Sequence, residues 1–172
     1  MEGFLLQDSF EVLEPNDDNF SEFGAVITKY NREYDQQKED YKWWSKLACF
    51  ECDAVITFNV LEINYRKFEL DQLERHIDTK EVIIPLGGNE ILVPVAPKGE
   101  LDESSIRIFK IGKHEGLVLN AGVYHFLPFA VKESANCIIA FKNDTEICDL
   151  AFFPLSRRYN ILYNRGGHII NG

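Results

Sequence analysis

The stretch that indicates the fold is Val82-Ile83-Ile84-Pro85-Leu86-Gly87-Gly88-Asn89-Glu90-Ile91-Leu92-Val93-Pro94-Val95-Ala96. It holds two short apolar runs, rich in β-branched residues, on either side of a Gly-Gly pair. Such runs are typical of buried β-strands, and the glycine pair is typical of a turn between them. The two prolines cannot donate to a β-ladder, so we expect strand ends, edges or bulges at Pro85 and Pro94.

Similar short runs continue on both sides of this stretch. The predicted further strands cover residues 25–28, 54–60, 68–76, 105–111, 116–119, 131–140 and 149–153. Turn signals recur about every 8–12 residues, which favours a sandwich or barrel over alternating strands and helices. The sequence therefore predicts an all-β (mainly β) fold, a barrel with a few short helices.

Length and composition suit one domain with a real core. The chain has 172 residues, 45% of them hydrophobic. We expect a single domain over residues 1–172, with an N-terminal decoration (1–50), a barrel core (about 51–155) and a C-terminal arm (156–172) that is solvated. Residues 30–40 are expected to form an exposed loop or a loosely held helix.

Charge and apolar patterning exclude several kinds of partner. The net charge is -10, which repels phosphate backbones and anionic lipid, so neither nucleic acid nor membrane is expected as a partner. No apolar run approaches the ~20 residues that span a bilayer, and no basic signal region opens the chain. These features predict a cytoplasmic protein with reduced cysteines. Cys49-x-x-Cys52 lacks the second ligand pair of a zinc site, and all four cysteines are expected to be simply buried.

Two short segments carry the candidate chemistry. Glu74 and His76 are two apart, so on a strand they share a face. Glu81 follows after a short turn, and His125 lies three residues after Gly122. Arg75 points the other way by strand alternation and is expected in a scaffold ion pair.

The spacing of these residues resembles the two cupin motifs. His76, Glu81 and Gly88 match the second histidine, the glutamate and the glycine of the first motif, and Glu74 stands at the first histidine. Gly122 and His125 match the end of the second motif. The resemblance implies a metal site of His76, Glu81, His125 and Glu74, whose donors suit a divalent transition metal such as Ni, Mn, Fe or Zn.

A closer resemblance is to the ureidoglycolate lyase family, which has a cupin-type double-stranded β-helix, or jelly-roll barrel. That family reads E-R-H-P-x-x-S/T-Q-x-F-x-P-L where this chain has residues 74–86, without gaps. Its G-V-W-H-H-P-L is similar to residues 122–128, and its F-x-x-Y-G-x-V-I opening is similar to residues 20–27. The resemblance spans residues 20–150.

The chain departs from the family pattern at positions near the expected site. Lys80-Glu81 replaces the Ser/Thr-Gln pair, Phe126 replaces the second histidine of W-H-H, and Phe141-Lys142 stands where a D-R pair is expected. Lys80 supplies a positive charge that can bind an anion, but at a position different from that in the family pattern. The carboxylate of Glu81 makes the chain more similar to the metal-binding cupins than the glutamine of the family pattern does.

The resemblance implies a metal-dependent lyase acting on a small ureido or 2-hydroxy acid, for example ureidoglycolate, which would give glyoxylate and urea. Glu74 or Lys80 is the candidate base, and Lys80, Asn120 and Tyr124 are candidate substrate contacts. Two other functions stay open: a cupin isomerase or epimerase of a sugar or sugar acid, and a non-catalytic cupin that binds a small ligand. In each case the expected partner is a small anionic or polar metabolite, and fold-level analogy predicts a homodimer.

Overall fold

The structure is a computed structural model that describes residues 8–165 and 168–170, with the backbone only for residues 164, 165 and 168–170. The all-β prediction is confirmed, as are the few short helices. The strands described are β1 (Ser9–Leu13), β2 (Gly24–Thr28), β3 (Gln36–Gln37), β4 (Lys42–Trp43), β5 (Ile56–Asn64), β6 (Glu69–Arg75), β7 (Glu81–Pro85), β8 (Ile91–Ala96), β9 (Arg107–Ile111), β10 (Glu115–Leu119), β11 (Tyr124–His125), β12 (Phe129–Ala130), β13 (Ser134–Lys142), β14 (Ala151–Arg165) and β15 (His168–Ile170). The short helices are α1 (Asp17–Phe20), α2 (Thr145–Cys148) and a 3-10 turn at Glu103–Ser105.

Six strands form a closed ring. The larger sheet runs in the order β1-β9-β8-β11-β6-β14, and β1 also pairs with β14, which joins the two ends. Both pairings of β1 are parallel, whereas the others in the ring are antiparallel. All six strands contribute to one buried cluster, which includes Phe10, Leu70, Leu92, Ile108 and Ile161. This cluster fills the ring.

A second sheet packs on the outside of the ring. It is antiparallel, in the order β2-β10-β7-β13-β5. Its inward residues, such as Ile83 and Leu117, share a second buried cluster with Val93 and Phe109 of the ring. Strand β8 is therefore buried on both faces, which explains the unbroken apolar run in its sequence.

The two prolines lie where their missing N–H groups are tolerated. Pro85 is the last residue of β7. Pro94 lies in a gap along one edge of β8, since β12 pairs with Ile91 and Leu92 whereas β11 pairs with Val95 and Ala96. Residues 126–128, which join β11 to β12, leave the sheet at this gap, and they line the pocket described below.

Three sequence-based expectations need correction. The sheets extend beyond residues 51–155, because β1 and β2 belong to them and β14 runs on to Arg165. The arm is not solvated as far as it is described, since Tyr159 and Ile161 are buried; residues 166–167 and 171–172 lie outside the described residues. Residues 30–40 are exposed as expected, apart from the half-buried Arg32, but residues 36–37 pair with 42–43 in a small hairpin that was not predicted.

The cysteine prediction is wrong for three of the four residues. Cys137 is buried in β13, but Cys49, Cys52 and Cys148 are exposed, because they lie outside the strands that form the cores. All four are free thiols. Among the described residues, no helix is long and apolar enough to cross a membrane.

Candidate functional site

Strand pairing brings His76, Glu81 and His125 together. His76 directly follows β6 and Glu81 opens β7, so the two lie on either side of the short turn that joins these strands. Strand β11 inserts between β6 and β8 and places His125 opposite Glu74. The N–H of Gly122 donates to the main-chain oxygen of His76 at 2.7 Å, which ties the two histidine segments to each other.

The three side chains form a compact buried group. Glu81 Oε2 lies 3.2 Å from Nε2 of His76 and 3.3 Å from Nε2 of His125. The two imidazole rings are 5.0 Å apart between centroids. Only 5% of His76, 8% of Glu81 and 2% of His125 is exposed, so these polar groups interact with one another and scarcely with bulk water.

Main-chain oxygens orient both imidazoles. Nδ1 of His76 lies 2.5 Å from the carbonyl oxygen of Asp149, and Nδ1 of His125 lies 3.1 Å from that of Val123. A carbonyl can only accept, so each Nδ1 carries the proton and each Nε2 faces Glu81 with its lone pair when the ring is neutral. This is the arrangement in which proteins present histidine to a metal.

The pKa values reflect burial and the mutual attraction of the group. Burial disfavours the charged form of Glu81, but the two histidines outweigh it and lower the pKa of the carboxyl to about 2. Burial likewise works against the His125 imidazolium, yet Glu81 and Glu74 raise the pKa of His125 to about 9. The hydrogen bond to Glu81 raises the pKa of His76 against the same penalty. Burial raises the pKa of Glu74.

The donor set fits a metal ion. His76, Glu81 and His125 each offer one ligand atom, and these atoms lie within 4.8 Å of one another. Nε2 of His125 is buried and, despite its closeness to Glu81, has no aligned hydrogen-bond partner. An unsatisfied buried nitrogen is costly, and a metal would satisfy it. Two imidazoles and one carboxylate suit several divalent transition metals, and the metal's identity is not fixed by these donors.

The group formed by His76, Glu81 and His125 opens into a cavity of about 250 Å³. Its polar lining is Asn59, Glu74, His76, Glu81 and Glu146. Its apolar lining consists of Val60, Leu61, Phe126, Leu127, Pro128, Ile139, Phe141 and Leu150. The cavity therefore lies between the second sheet and the β6–β11 side of the ring, next to the cluster of three ligands.

The structure brings only some of the predicted site residues to this cavity. Glu74 lines it, and its Oε1 lies 3.7 Å from Nε2 of His125, although it falls outside the group of three ligands. Lys80 is half-buried and Asn120 lies in the turn before β11, and neither lines the cavity.

Tyr124 faces the interior of the ring, on the opposite side of β11 from His125. Its hydroxyl donates to the carbonyl of Gly99 at 2.8 Å and accepts from Arg75 at 2.7 Å. Arg75 stacks on the rings of Tyr124 and Phe153. Arg75 thus supports the scaffold through carbonyl, hydroxyl and aromatic groups. It makes no ion pair with any residue that the structure describes, so the expected ion pair is wrong.

Each of the three departures from the family pattern places one residue at the cavity, and Glu81 is the residue that does so in the first of them. Phe126 and Phe141 line it, and the Phe141 ring lies 6.1 Å from that of His76. Glu81 is a member of the buried cluster, whereas its neighbour Lys80 is not. Lys142 ends β13 as an exposed side chain.

Sequence reasoning missed three residues at the site. Asp149 holds His76 through its carbonyl, and its carboxylate accepts the N–H groups of Ile77 at 2.7 Å and Asp78 at 2.9 Å. Asn59 and Glu146 line the cavity. The alternation of β5 could have placed Asn59 on the inner face, but no local signal links Asp149 or Glu146 to a histidine some seventy residues earlier.

Comparison with known proteins identifies the family. The family model described as ureidoglycolate lyase matches residues 10–161. The chain belongs to the ureidoglycolate lyase family. A ureidoglycolate lyase of Burkholderia mallei is 36% identical over 72 residues, which cover 42% of each chain. One of Pseudomonas aeruginosa is 27% identical over 142 residues, which cover 78% of this chain and 84% of that protein. The match thus spans less than half the length of the Burkholderia ureidoglycolate lyase.

Solved structures similar to this member of the ureidoglycolate lyase family include two proteins of other names. A variant of the 3,4-ketoisomerase QdtA of Thermoanaerobacterium thermosaccharolyticum gives a TM-score of 0.48 at 13% identity, covering 74% of this chain and 85% of that one. RmlC of Streptococcus suis gives a TM-score of 0.41 at 11% identity, covering 51% and 44%.

Proposed function

We propose that this chain is a metal-dependent lyase that cleaves the carbon–nitrogen bond of a small 2-hydroxy acid of the ureidoglycolate type. The observation that carries the proposal is the buried cluster of His76, Glu81 and His125 at the cavity wall, in which Nε2 of His125 lies 3.3 Å from Glu81 without an aligned hydrogen bond. Family membership supplies the reaction class. A cavity of about 250 Å³ accommodates a substrate of this size.

In this proposal His76, Glu81 and His125 hold the metal, which would supply Lewis acidity toward the oxygen atoms of the substrate. Glu74 is the general base. It lines the cavity beside the three ligands, and burial raises its pKa above that of an ordinary glutamate. A base whose pKa is closer to neutrality takes and returns a proton more readily.

Glu74 moves one proton during the reaction. It accepts the hydroxyl proton of the substrate as the carbon–oxygen bond gains double-bond character and the carbon–nitrogen bond breaks. The electron pair of that bond leaves with the nitrogen, and protonated Glu74 returns the proton to it. The products are glyoxylate and urea, so atoms and charge balance. The apolar residues Phe126 and Phe141 keep water away from the reacting carbon.

The test is glyoxylate release from ureidoglycolate by metal-stripped protein, resupplied in turn with Ni, Mn, Fe or Zn. Turnover that needs metal and is lost in both His76→Ala and His125→Ala supports the proposal. Folded protein with bound metal and no turnover refutes the lyase reaction. In that case, screening of keto sugars would test an isomerase, and absence of activity there would leave a small-ligand-binding cupin.

We also propose that the protein is a cytoplasmic homodimer. Support for the dimer comes from β5, the end strand of the second sheet, which leaves Phe58 75% and Val60 68% exposed. Such an edge is suited to pairing with a second copy. Exposed free thiols at Cys49 and Cys52 suit a reducing compartment. A Phe58→Lys variant that stays as dimeric as the parent in sedimentation would refute pairing through β5.

A further inference from the structure

The polar side chains of the cavity are almost all hydrogen-bond acceptors. Glu74, Glu81 and Glu146 present carboxylates. The amide nitrogen of Asn59 is directed at Thr57 Oγ1 and the Ile139 carbonyl, both at 3.4 Å, which leaves its carbonyl oxygen for the cavity. The remaining polar residue in the lining, His76, donates its Nδ1 proton to Asp149. A ligand of this cavity must therefore bring its own donors.

The same lining is rich in negative charge. No lysine or arginine is among the lining residues, although three carboxylates are. Glu146, on α2, makes no hydrogen bond or ion pair in the described part of the chain and is exposed at the cavity. A divalent metal bound by His76, Glu81 and His125 would offset two of the three carboxylates and leave an excess of one negative charge.

We propose that this cavity selects a substrate whose departing nitrogen belongs to a cationic guanidino group rather than to a neutral ureido group. The inference rests on the lyase reaction proposed above and names its substrate class. The two groups are planar and nearly equal in size. They differ at one position, where the ureido group has a carbonyl acceptor and the guanidinium has a charged N–H₂ donor.

The group at this position, a carbonyl or a charged N–H₂, decides whether the ureido or the guanidino compound binds more tightly. Among the lining side chains, no donor is free to bond a ureido carbonyl, so the carbonyl would face acceptors and aromatic rings. A guanidinium has donors alone, and the carboxylate of Glu146 and the carbonyl of Asn59 accept them. Glu81, which stands where the family pattern has glutamine, adds a carboxylate to the lining and changes this chain in the same direction.

The chemistry is unchanged by the replacement. Glu74 takes the hydroxyl proton of guanidinoglycolate, the carbon–nitrogen bond breaks with its electron pair going to nitrogen, and the proton is returned to that nitrogen. The products are glyoxylate and guanidinium, so atoms and charge balance. A delocalised cation is stabilised by nearby carboxylates both before and after departure.

The experiment measures binding, so it does not depend on turnover. Guanidinoacetate and ureidoacetate lack the hydroxyl group and cannot be cleaved. Each is titrated calorimetrically into the full-length protein loaded with Zn²⁺. We expect the Kd of guanidinoacetate to be lower by about tenfold, the range that an unsatisfied buried polar group and a charge difference produce. In Glu146→Gln this ratio should fall at least about threefold, and in the control Glu22→Gln, which removes one exposed charge away from the cavity, it should not change.

Equal binding of the two compounds, tighter binding of ureidoacetate, binding of neither, or a ratio that is unchanged in Glu146→Gln would overturn the inference. Failure of the lyase proposal is read separately, from glyoxylate release. If the protein cleaves ureidoglycolate but shows no preference for the guanidino compound, the proposed reaction stands and the proposed substrate class is refuted. If the protein prefers guanidinoacetate but cleaves neither hydroxy acid, the binding preference stands and the proposed lyase reaction is refuted.

Discussion

Nδ1 of His76 lies 2.5 Å from the main-chain oxygen of Asp149, while the carboxylate of the same aspartate receives the N–H groups of Ile77 and Asp78. One residue thus holds a candidate metal ligand and the backbone that follows it. Asp149 touches no substrate in the proposed reaction and is a positioning residue. Its side chain fixes the turn, and its carbonyl fixes the tautomer of the imidazole.

Asp149→Ala removes the two amide bonds and keeps the carbonyl. We expect the Kd for the metal to rise about tenfold or more, as for other residues that orient a metal-bound histidine. The measurement is competitive titration against a chelating dye, with Asp53→Ala as the control for loss of one exposed aspartate. Unchanged metal affinity with a lower melting temperature would mean that Asp149 stabilises the fold without orienting His76.

Metal uptake should depend on pH because His125 must lose its proton to bind. Glu81 and Glu74 raise the pKa of this imidazole to about 9 in the metal-free protein. Below that pH the proton on His125 competes with the metal, and the raised pKa of His76 adds a second competing proton, so the apparent affinity should rise by about tenfold or more per pH unit from pH 6 and level off near pH 9. Calorimetry in buffers of different ionisation enthalpy would count the released proton. An affinity that is constant between pH 6 and 8 would contradict the raised pKa of His125.

Glu74→Gln separates catalysis from metal binding. If Glu74 is the base, kcat should fall about 10²- to 10⁴-fold, the usual contribution of a general base, while metal affinity stays within about threefold. Kinetics with the metal-loaded variant, together with the metal content per chain, provide both values. A variant that loses its metal instead would show that Glu74 is a fourth ligand.

Tyr124→Phe distinguishes a structural from a substrate-binding hydroxyl. The hydroxyl bonds Gly99 and Arg75 inside the ring, so its removal should lower the free energy of unfolding by about 1–2 kcal/mol. Urea denaturation measures this loss. The kcat/KM of the variant should stay within about twofold of the parent. A loss of tenfold or more would mean that the Tyr124 hydroxyl contacts the substrate.

The local motifs were sufficient to predict the centre of the site. His76, Glu81 and His125 each lie within a few residues of a turn glycine or a strand end, so strand periodicity constrains which way they point. The same periodicity separates Tyr124 from His125, because neighbours on a strand face opposite sides. Asp149 depends on the pairing of Ala151 with Arg75, a contact between distant segments that no local pattern encodes.

The extent of the domain was harder to predict for the same reason. The N-terminal segment and the C-terminal arm look like additions because each has few turn signals of its own. They become parts of the ring through pairings between distant segments: β1 pairs with β9 and β14, β14 pairs with β6, and Phe10 thereby lies beside Ile161. A pairing between two segments at opposite ends of a chain, each with few turn signals of its own, cannot be detected in a sequence window of ten or twenty residues.

Closure of the ring by its first strand also sets the order in which the protein can be completed on the ribosome. Val12 pairs with Ile108, and Ser9 pairs with Asn160. Strand β1 therefore has no partner in the ring until most of the chain has been synthesised. Contacts this distant in sequence slow folding and leave unpaired edges exposed in the meantime. Joining the ends and opening the chain in the loop at Gly99 would make the parallel neighbours of β1 available earlier in synthesis.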